Sequence, residues 1–195
     1  MVTKVYGDSI SGNCLKVKWT LEYLDLPYSW LETDILQGES RTADFLTMNP
    51  AGQVPTVVLA DGRPLAQSNA IIVHLAEGSP LIPADPYDRA RMFEWLFWEQ
   101  YSHEPYIAVA RFQVHLGKPV AELDPKLVDR GHGALKRLDE ALTEGGFLVG
   151  EAVSLADVAL VAYTRWAHEG GFDLAAYPAV KAWVGRVEAA LSITD

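Results

Sequence analysis

Cysteine is almost absent from this chain: Cys14 is the single one among 195 residues. An internal disulfide framework is therefore excluded, and a lone thiol is typical of proteins kept in a reducing cytoplasm. No apolar run approaches the ~20 residues that a membrane helix requires. The first residues also lack the basic region and apolar segment of a secretory signal. These absences predict a cytoplasmic protein that does not contact a membrane.

Positive charge is also scarce, since 16 lysines and arginines stand against 26 aspartates and glutamates and leave a formal net charge of −10. Nucleic-acid binding needs a basic patch, and no block of lysine or arginine occurs. The five histidines show no spacing typical of metal ligands. The sequence therefore predicts neither a nucleic-acid partner nor a bound metal.

Residues 1–78 alternate between strand-like and helix-like segments. The predicted order is βαβαββα, with elements at residues 2–6, 13–24, 28–35, 39–48, 56–59, 64–65 and 68–77. Asp61-Gly62 lies between two apolar runs and predicts a tight hairpin. This order favours an α/β domain with a small mixed sheet.

The rest of the chain is predicted to be all-helical after a linker at residues 79–86, so that residues 87–195 form a second domain. Helices are predicted at residues 87–116, 125–144, 154–169 and 178–191. Ser154-Leu155-Ala156-Asp157 is an N-capping pattern in which Asp157 reaches back to the cap. The fold class is thus α/β plus all-α.

Two segments of the first domain point to a ligand. Pro55 pushes Val54 into an extended conformation, which leaves the main chain of Val54 free to pair with an extended peptide. Ser68 is predicted as the N-cap of the following helix, where free N–H groups attract a carboxylate. Together they predict a site for a small, extended, anionic peptide.

Four pieces of the sequence together resemble the soluble glutathione transferase family, including its bacterial members. They are residues 6–13, residues 49–55, Gln67-Ser68 and residues 154–157, in the family's order and spacing. The resemblance implies a thioredoxin-like N-terminal domain, an all-helical C-terminal domain, a homodimer and a cis peptide between Val54 and Pro55. It also implies glutathione as a co-substrate.

The same resemblance assigns roles in glutathione binding. The backbone of Val54 would pair with the cysteinyl part, Gln67 and Ser68 would hold the γ-glutamyl end, and Arg41 would face the glycyl carboxylate. The residues implied to bind glutathione are Arg41, Gln53, Val54, Pro55, Gln67 and Ser68.

Ser11 would be the hydroxyl that faces the glutathione sulfur. The phi-class pattern is matched by Tyr6-Gly7, Ser11, Asn13 and Lys16, and the zeta-class spacing is similar. Lowering a thiol pKa from ~8.5 to ~6.5 requires ~2.7 kcal/mol. A helix N-terminus supplies ~0.3–1 kcal/mol and one hydrogen bond to a charged group ~1.5–3 kcal/mol, so both are needed. Asn13 would be a second donor or would shape the loop.

These patterns predict a homodimeric transferase that conjugates glutathione to a small electrophile. In the resembled family the long helix of the second domain lines the electrophile pocket, which implies roles for Tyr106 and Arg111. Two alternatives stay open. The Ser11–Asn13 spacing is similar to the bacterial nu class, which reduces glutathione-containing disulfides, and a non-catalytic glutathione-binding module is the other. Cys14 is predicted to pack inward.

Overall fold

The computed structural model describes residues 3–194 and divides into two compact units, Met1–Ser79 and Pro80–Asp195. The division falls within the predicted linker, residues 79–86. Val2, where the first strand was predicted to begin, lies outside the described residues. Within residues 3–194, no helix combines the length and the apolar character needed to cross a membrane.

The first unit carries a four-stranded mixed sheet with three α-helices. Its elements are β1 (Thr3–Gly7), α1 (Gly12–Tyr23), β2 (Tyr28–Glu32), α2 (Ala43–Met48), β3 (Thr56–Val58), β4 (Pro64–Ala66) and α3 (Ser68–Leu75). The strand order is β2-β1-β3-β4, with β1 parallel to β2 and antiparallel to β3. Strand β4 runs antiparallel to β3 across the Asp61-Gly62 turn. The predicted βαβαββα order and the thioredoxin-like domain are confirmed.

Two predicted elements of this unit are shorter or divided in the structure. The helix predicted at residues 39–48 is a 3-10 turn, Glu39–Arg41, followed by α2. Thr42 separates them because its backbone is extended and its hydroxyl accepts a hydrogen bond from Phe45 N–H at 3.3 Å. The strand predicted at residues 28–35 ends at Glu32.

The strand register determines where loops meet. Tyr6 lies opposite Thr56, and Thr56 lies opposite Ala66. Because β1 and β4 end where β3 begins, the segments that follow β1, precede β3 and follow β4 share one edge of the sheet. This edge brings together residues 8–13, 49–55 and 67–69. The three segments singled out in the sequence therefore lie at one place.

The second unit is all-helical, as predicted. Its α-helices are α4 (Pro86–Trp98), α5 (Glu104–His115), α6 (Pro125–Ala141), α7 (Leu155–Thr164) and α8 (Pro178–Leu191). The single helix predicted at residues 87–116 is interrupted by a π-helical turn, Glu99–His103, which separates α4 from α5. The helix predicted at residues 154–169 ends at Thr164 and is followed by a 3-10 turn, Ala167–Gly170.

The predicted cap of α7 is confirmed and is part of a larger buried cluster. One carboxylate oxygen of Asp157 accepts hydrogen bonds from the N–H and the hydroxyl of Ser154, both at 2.9 Å. The other accepts from Leu148 N–H at 2.9 Å and from Trp183 Nε1 at 2.8 Å. Burial raises the pKa of Asp157 despite these hydrogen bonds. One carboxylate thus joins α7, α8 and the segment before α7.

Candidate functional site

The loop between β1 and α1 is held by a complete set of hydrogen bonds. The N–H of Asp8 donates to Cys14 Sγ at 3.3 Å, and that of Ser9 donates to Glu32 Oε1 at 2.8 Å. The N–H groups of Ile10 and Ser11 both donate to Asp8, each at 3.0 Å. All four amides of residues 8–11 therefore have an acceptor, which specifies the path of the loop.

Ser11 occupies the N-cap position of α1, but its hydroxyl makes no capping hydrogen bond. The side chain is half-buried, and its carbonyl accepts from Cys14 and Leu15 at the start of the helix. The alternative hydroxyl, that of Ser9, interacts with the carboxylate of Glu32. The Ser11 side chain in turn interacts with the Cys14 thiol. The assignment of Ser11 rather than Ser9 as the donor to a ligand sulfur stays a prediction.

Cys14 packs inward, as the sequence predicted. It is fully buried, and burial raises the pKa of its thiol to about 12. A thiol that stays protonated is a poor nucleophile, because the thiolate is the reactive form. Cys14 is therefore a core residue and is not suited to act as the attacking sulfur.

Asn13, Lys16 and Ser68 form a network that joins α1 to the start of α3. Asn13 Oδ1 accepts from Lys16 Nζ at 2.8 Å and from the Ser68 hydroxyl at 3.1 Å. Lys16 is fully buried, and its Nζ also lies 3.5 Å from Asn69 Oδ1. Because the oxygen of Asn13 is engaged, a hydrogen bond from Asn13 to a ligand would have to come from its amide N–H groups.

The predicted capping role of Ser68 is wrong, because Ser68 is the first residue of α3 and Gln67 occupies the N-cap position. Gln67 has φ 71° and ψ 111°, in a region that residues other than glycine rarely adopt. Such strain is retained where surrounding structure requires it, and it is found often at ligand sites. The strained backbone of Gln67 therefore lies in the Gln67-Ser68 segment, which the sequence motif had indicated as part of a ligand site.

The segment before β3 is supported from beneath by Asn49 and Thr56. The amide of Asn49 donates to the carbonyl of Gln53 at 2.9 Å and to the Thr56 hydroxyl at 3.0 Å. Thr56 also donates to the Gln53 carbonyl, at 2.9 Å. The predicted cis peptide between Val54 and Pro55 is confirmed. Within the described part of the chain, no hydrogen bond engages the main chain of Val54.

Arg41 lies against the same segment because Gly52 has no side chain. A Cβ atom at Gly52 would lie 2.7 Å from Arg41 Nη1 and 2.9 Å from its Cδ. Gly52 also has φ 60°, a conformation that glycine adopts without cost. The structure thus brings the Arg41 side chain against Gly52, the residue before Gln53. The roles of Arg41 and Gln53 in glutathione binding stay a prediction.

Tyr106 and Arg111 belong to α5 in the second unit. Arg111 Nε forms an ion pair with Glu169 at 2.6 Å, and its guanidinium carbon lies 4.3 Å from the centroid of the Trp166 ring. These contacts show that Arg111 helps to pack the helical unit. Tyr106 is half-buried. Their roles with an electrophile stay a prediction.

Several residues at this edge of the sheet were not identified as functional from the sequence. They are Glu32, Asn49, Gly52 and Thr56. Gly52 is part of the 49–55 motif, and its identity was a usable signal, because a glycine beside the binding segment often marks a close approach. Glu32 gave no signal, since it is an ordinary glutamate at a strand end. Among residues 3–194, no group of three or more His, Cys, Asp or Glu side chains is placed to hold a metal ion.

Comparison with known proteins identifies the family. Residues 10–77 match the model of the glutathione S-transferase N-terminal domain, and residues 96–190 match that of the C-terminal domain. The chain belongs to the glutathione S-transferase family. It is therefore a transferase, and the resemblance stated from the four sequence pieces is confirmed.

Individual relatives cover nearly the whole chain. A glutathione S-transferase structure from Pseudomonas fluorescens is 49% identical with a TM-score of 0.93, and the match covers 97% of this chain and 96% of that one. A probable glutathione S-transferase, GSTF2 of Oryza sativa subsp. japonica, is 33% identical, covering 92% of this chain and 88% of that protein. Disulfide-bond oxidoreductase YfcG of Escherichia coli (strain K12) is 29% identical, covering 96% and 90%.

Proposed function

We propose that this glutathione S-transferase binds glutathione at the shared edge of the first unit, stabilises its thiolate with the Ser11 hydroxyl and transfers the sulfur to a small electrophile. The observation that carries the proposal is the convergence of three elements. The half-buried Ser11, the unengaged main chain of Val54 and the first residues of α3 all lie at one sheet edge. An extended tripeptide can pair with Val54 while its two ends reach charged and polar groups.

The remaining parts of the proposal follow from the same site. Gln67 and Ser68 hold the γ-glutamyl end, and Arg41 with Gln53 faces the glycyl carboxylate. Tyr106 and Arg111 contact the electrophile, and the enzyme acts as a cytoplasmic homodimer. These assignments rest on the family resemblance and on the placement of Arg41 beside Gly52.

The chemistry needs no group beyond this chain and its two substrates. The glutathione thiol loses its proton to solvent, and the Ser11 O–H donates a hydrogen bond to the resulting thiolate. The sulfur then forms a bond to the electrophilic carbon. In a substitution the leaving group departs with the electron pair of the broken bond, and in an addition the displaced electron pair of the substrate takes up a proton from solvent. In this proposal Ser11 stays a neutral hydrogen-bond donor throughout and does not act as a nucleophile.

A titration of bound glutathione tests the proposal. We expect the ultraviolet band of the thiolate to appear with a pKa well below the ~8.5 of a free thiol when pH is varied between about 5 and 10. The physical reason is that Ser11 and the α1 N-terminus favour the charged form. Binding without a shifted pKa would contradict thiolate activation, and no binding would contradict the whole site.

Arg41 provides a test of how the ligand is oriented. In Arg41→Gln we expect the Kd for glutathione to rise about tenfold, the equivalent of one exposed charge-assisted hydrogen bond. Binding of γ-glutamylcysteine, which lacks the glycyl carboxylate, should be unchanged. Isothermal calorimetry with both ligands measures this. Arg63→Gln is the matched control, because it removes an exposed arginine that is paired with Asp61 in the hairpin. Equal losses for both ligands would contradict the assignment of Arg41.

A second function, reduction of glutathione-containing disulfides, is favoured by the similarity to disulfide-bond oxidoreductase YfcG and by the Ser11–Asn13 spacing. In that reaction the bound thiolate attacks the glutathione sulfur of a mixed disulfide. Oxidised glutathione forms, and the other thiol leaves as thiolate. Comparing turnover of a mixed disulfide with turnover of an aromatic electrophile would separate the two functions, since a reductase would show little conjugation.

A further inference from the structure

Two side chains of β2 hold the β1–α1 loop from outside, and no sequence motif had singled them out. The two carboxylate oxygens of Glu32 accept different donors: the Ser9 N–H at 2.8 Å and the Trp30 indole N–H at 2.7 Å. Partial desolvation raises the pKa of Glu32, but the hydrogen bonds from Trp30 and Ser9 outweigh it and lower the pKa overall. The carboxylate therefore stays charged and keeps both acceptor oxygens at neutral pH.

Trp30 also contacts the end of β1 directly. Its six-membered ring lies against Gly7 so closely that a Cβ atom there would be 2.6 Å from Cη2 and 2.8 Å from Cζ2. Gly7 pairs with Glu32 in the strand register. The indole, the carboxylate and Gly7 therefore form a clasp, defined here as Gly7, Trp30 and Glu32, around the point where the chain leaves the sheet.

The clasp acts on Ser9, two residues before the proposed thiolate donor. Of the four amides of residues 8–11, that of Ser9 is bonded to a neighbouring strand, whereas the others are bonded within the loop or to α1. Ser11 is two residues away along a short loop. A shift of the Ser9 main chain would therefore move the Ser11 hydroxyl relative to a bound sulfur.

We propose that Glu32 and Trp30 are positioning residues for thiol activation, which hold Ser11 where its hydroxyl reaches the glutathione sulfur. This inference rests on the proposed function. Coulomb interaction alone would make Glu32 unfavourable, since a nearby negative charge disfavours a thiolate. Glu32 is nevertheless suited to this position because its carboxylate offers two acceptor oxygens. A glutamine offers one acceptor oxygen and an N–H₂ group that cannot accept from Ser9 or Trp30.

The test uses a substitution for which geometry and charge predict opposite results. In Glu32→Gln we expect the thiolate fraction of bound glutathione at about pH 6.5 to fall about tenfold, although a negative charge has been removed. The Kd for S-methylglutathione, whose sulfur cannot ionise, should stay at the wild-type value. Trp30→Phe keeps a ring against Gly7 but lacks the indole N–H, and it should shift the thiolate fraction in the same direction by less.

Glu22→Gln is the matched control. Glu22 also accepts a hydrogen bond from an aromatic residue of β2, Tyr28 at 2.9 Å, but at the opposite end of that strand. The Glu22→Gln substitution removes the same charge as Glu32→Gln. It should leave both the thiolate fraction and the Kd for S-methylglutathione unchanged.

Each other outcome has a distinct meaning. A thiolate fraction in Glu32→Gln that equals or exceeds the wild-type value would overturn the positioning role, because that is the result of charge removal alone. Weaker binding of S-methylglutathione in Glu32→Gln would also overturn it, since the site as a whole would then be disturbed. A wild-type protein that shows no thiolate band would overturn the proposed function, and this inference with it, before any variant is compared.

Discussion

In Ser11→Ala, conjugation of glutathione to an aromatic electrophile should slow by about 10–100-fold, the kinetic equivalent of one hydrogen bond to a charged group. The hydroxyl is half-buried and makes no capping hydrogen bond to α1, so its loss should cost the helix little. The thiol pKa of bound glutathione should rise toward the value in water. Steady-state kinetics measured across a range of pH would show both the slower conjugation and the raised thiol pKa.

Ser9→Ala is the matched control for this prediction. Ser9 lies in the same loop, but its hydroxyl interacts with Glu32, and its N–H, which the substitution keeps, makes the 2.8 Å hydrogen bond to that carboxylate. Because the Ser9 N–H still holds the loop to Glu32, turnover of Ser9→Ala should fall less than that of Ser11→Ala. Equal turnover in Ser11→Ala and the wild type would remove Ser11 from the mechanism, and a larger loss in Ser9→Ala would assign the role to Ser9.

In Asp157→Ala the helical unit should lose about 3–5 kcal/mol of its free energy of unfolding. The substitution leaves four donors without their acceptor, namely the N–H of Leu148, the N–H and the hydroxyl of Ser154 and the indole N–H of Trp183, of which all but the first are buried. Each unsatisfied buried donor costs about 1–3 kcal/mol. Urea denaturation followed by Trp fluorescence and by circular dichroism would measure the change.

An exposed capping aspartate provides the comparison for Asp157. Asp173 accepts one hydrogen bond, from Ala175 N–H at 2.8 Å, at the start of a 3-10 turn. Asp173→Ala should therefore cost only about 1 kcal/mol, the value of a single cap. If the two variants lost similar stability, the contacts of Asp157 with Leu148 and Trp183 would contribute little, and its role would be that of an ordinary cap.

If the positioning role of Glu32 and Trp30 holds, the thiol chemistry of this enzyme depends on how the start of one short loop is anchored. Cys14 anchors its first amide from within α1, and Glu32 anchors the next one from β2. Ser11 then begins the helix whose N-terminus favours a thiolate. The loop would need no rearrangement when glutathione binds, which is the arrangement expected of a preorganised site.

Local sequence patterns predicted the order of elements and two segments of the candidate site, those around Val54 and Ser68. The Asp61-Gly62 hairpin, the cap of α7 and the segment around Val54 each depend on residues within a few positions of one another. For that reason they could be predicted without knowledge of the fold. The family resemblance added the expectation that the segments around Val54 and Ser68 bind glutathione. It also implied the cis peptide before Pro55, which the structure contains.

Tertiary structure alone decided the contacts between segments that are distant in sequence. The sequence placed Ser68 at a cap, but the fold places Gln67 there and directs the Ser68 hydroxyl to Asn13, 55 positions away. Likewise Glu32 looks like any exposed glutamate until the parallel pairing of β1 with β2 brings it to Ser9. Such contacts depend on strand register and helix docking, which arise from the packing of the whole unit and leave no periodic signal in the residues themselves.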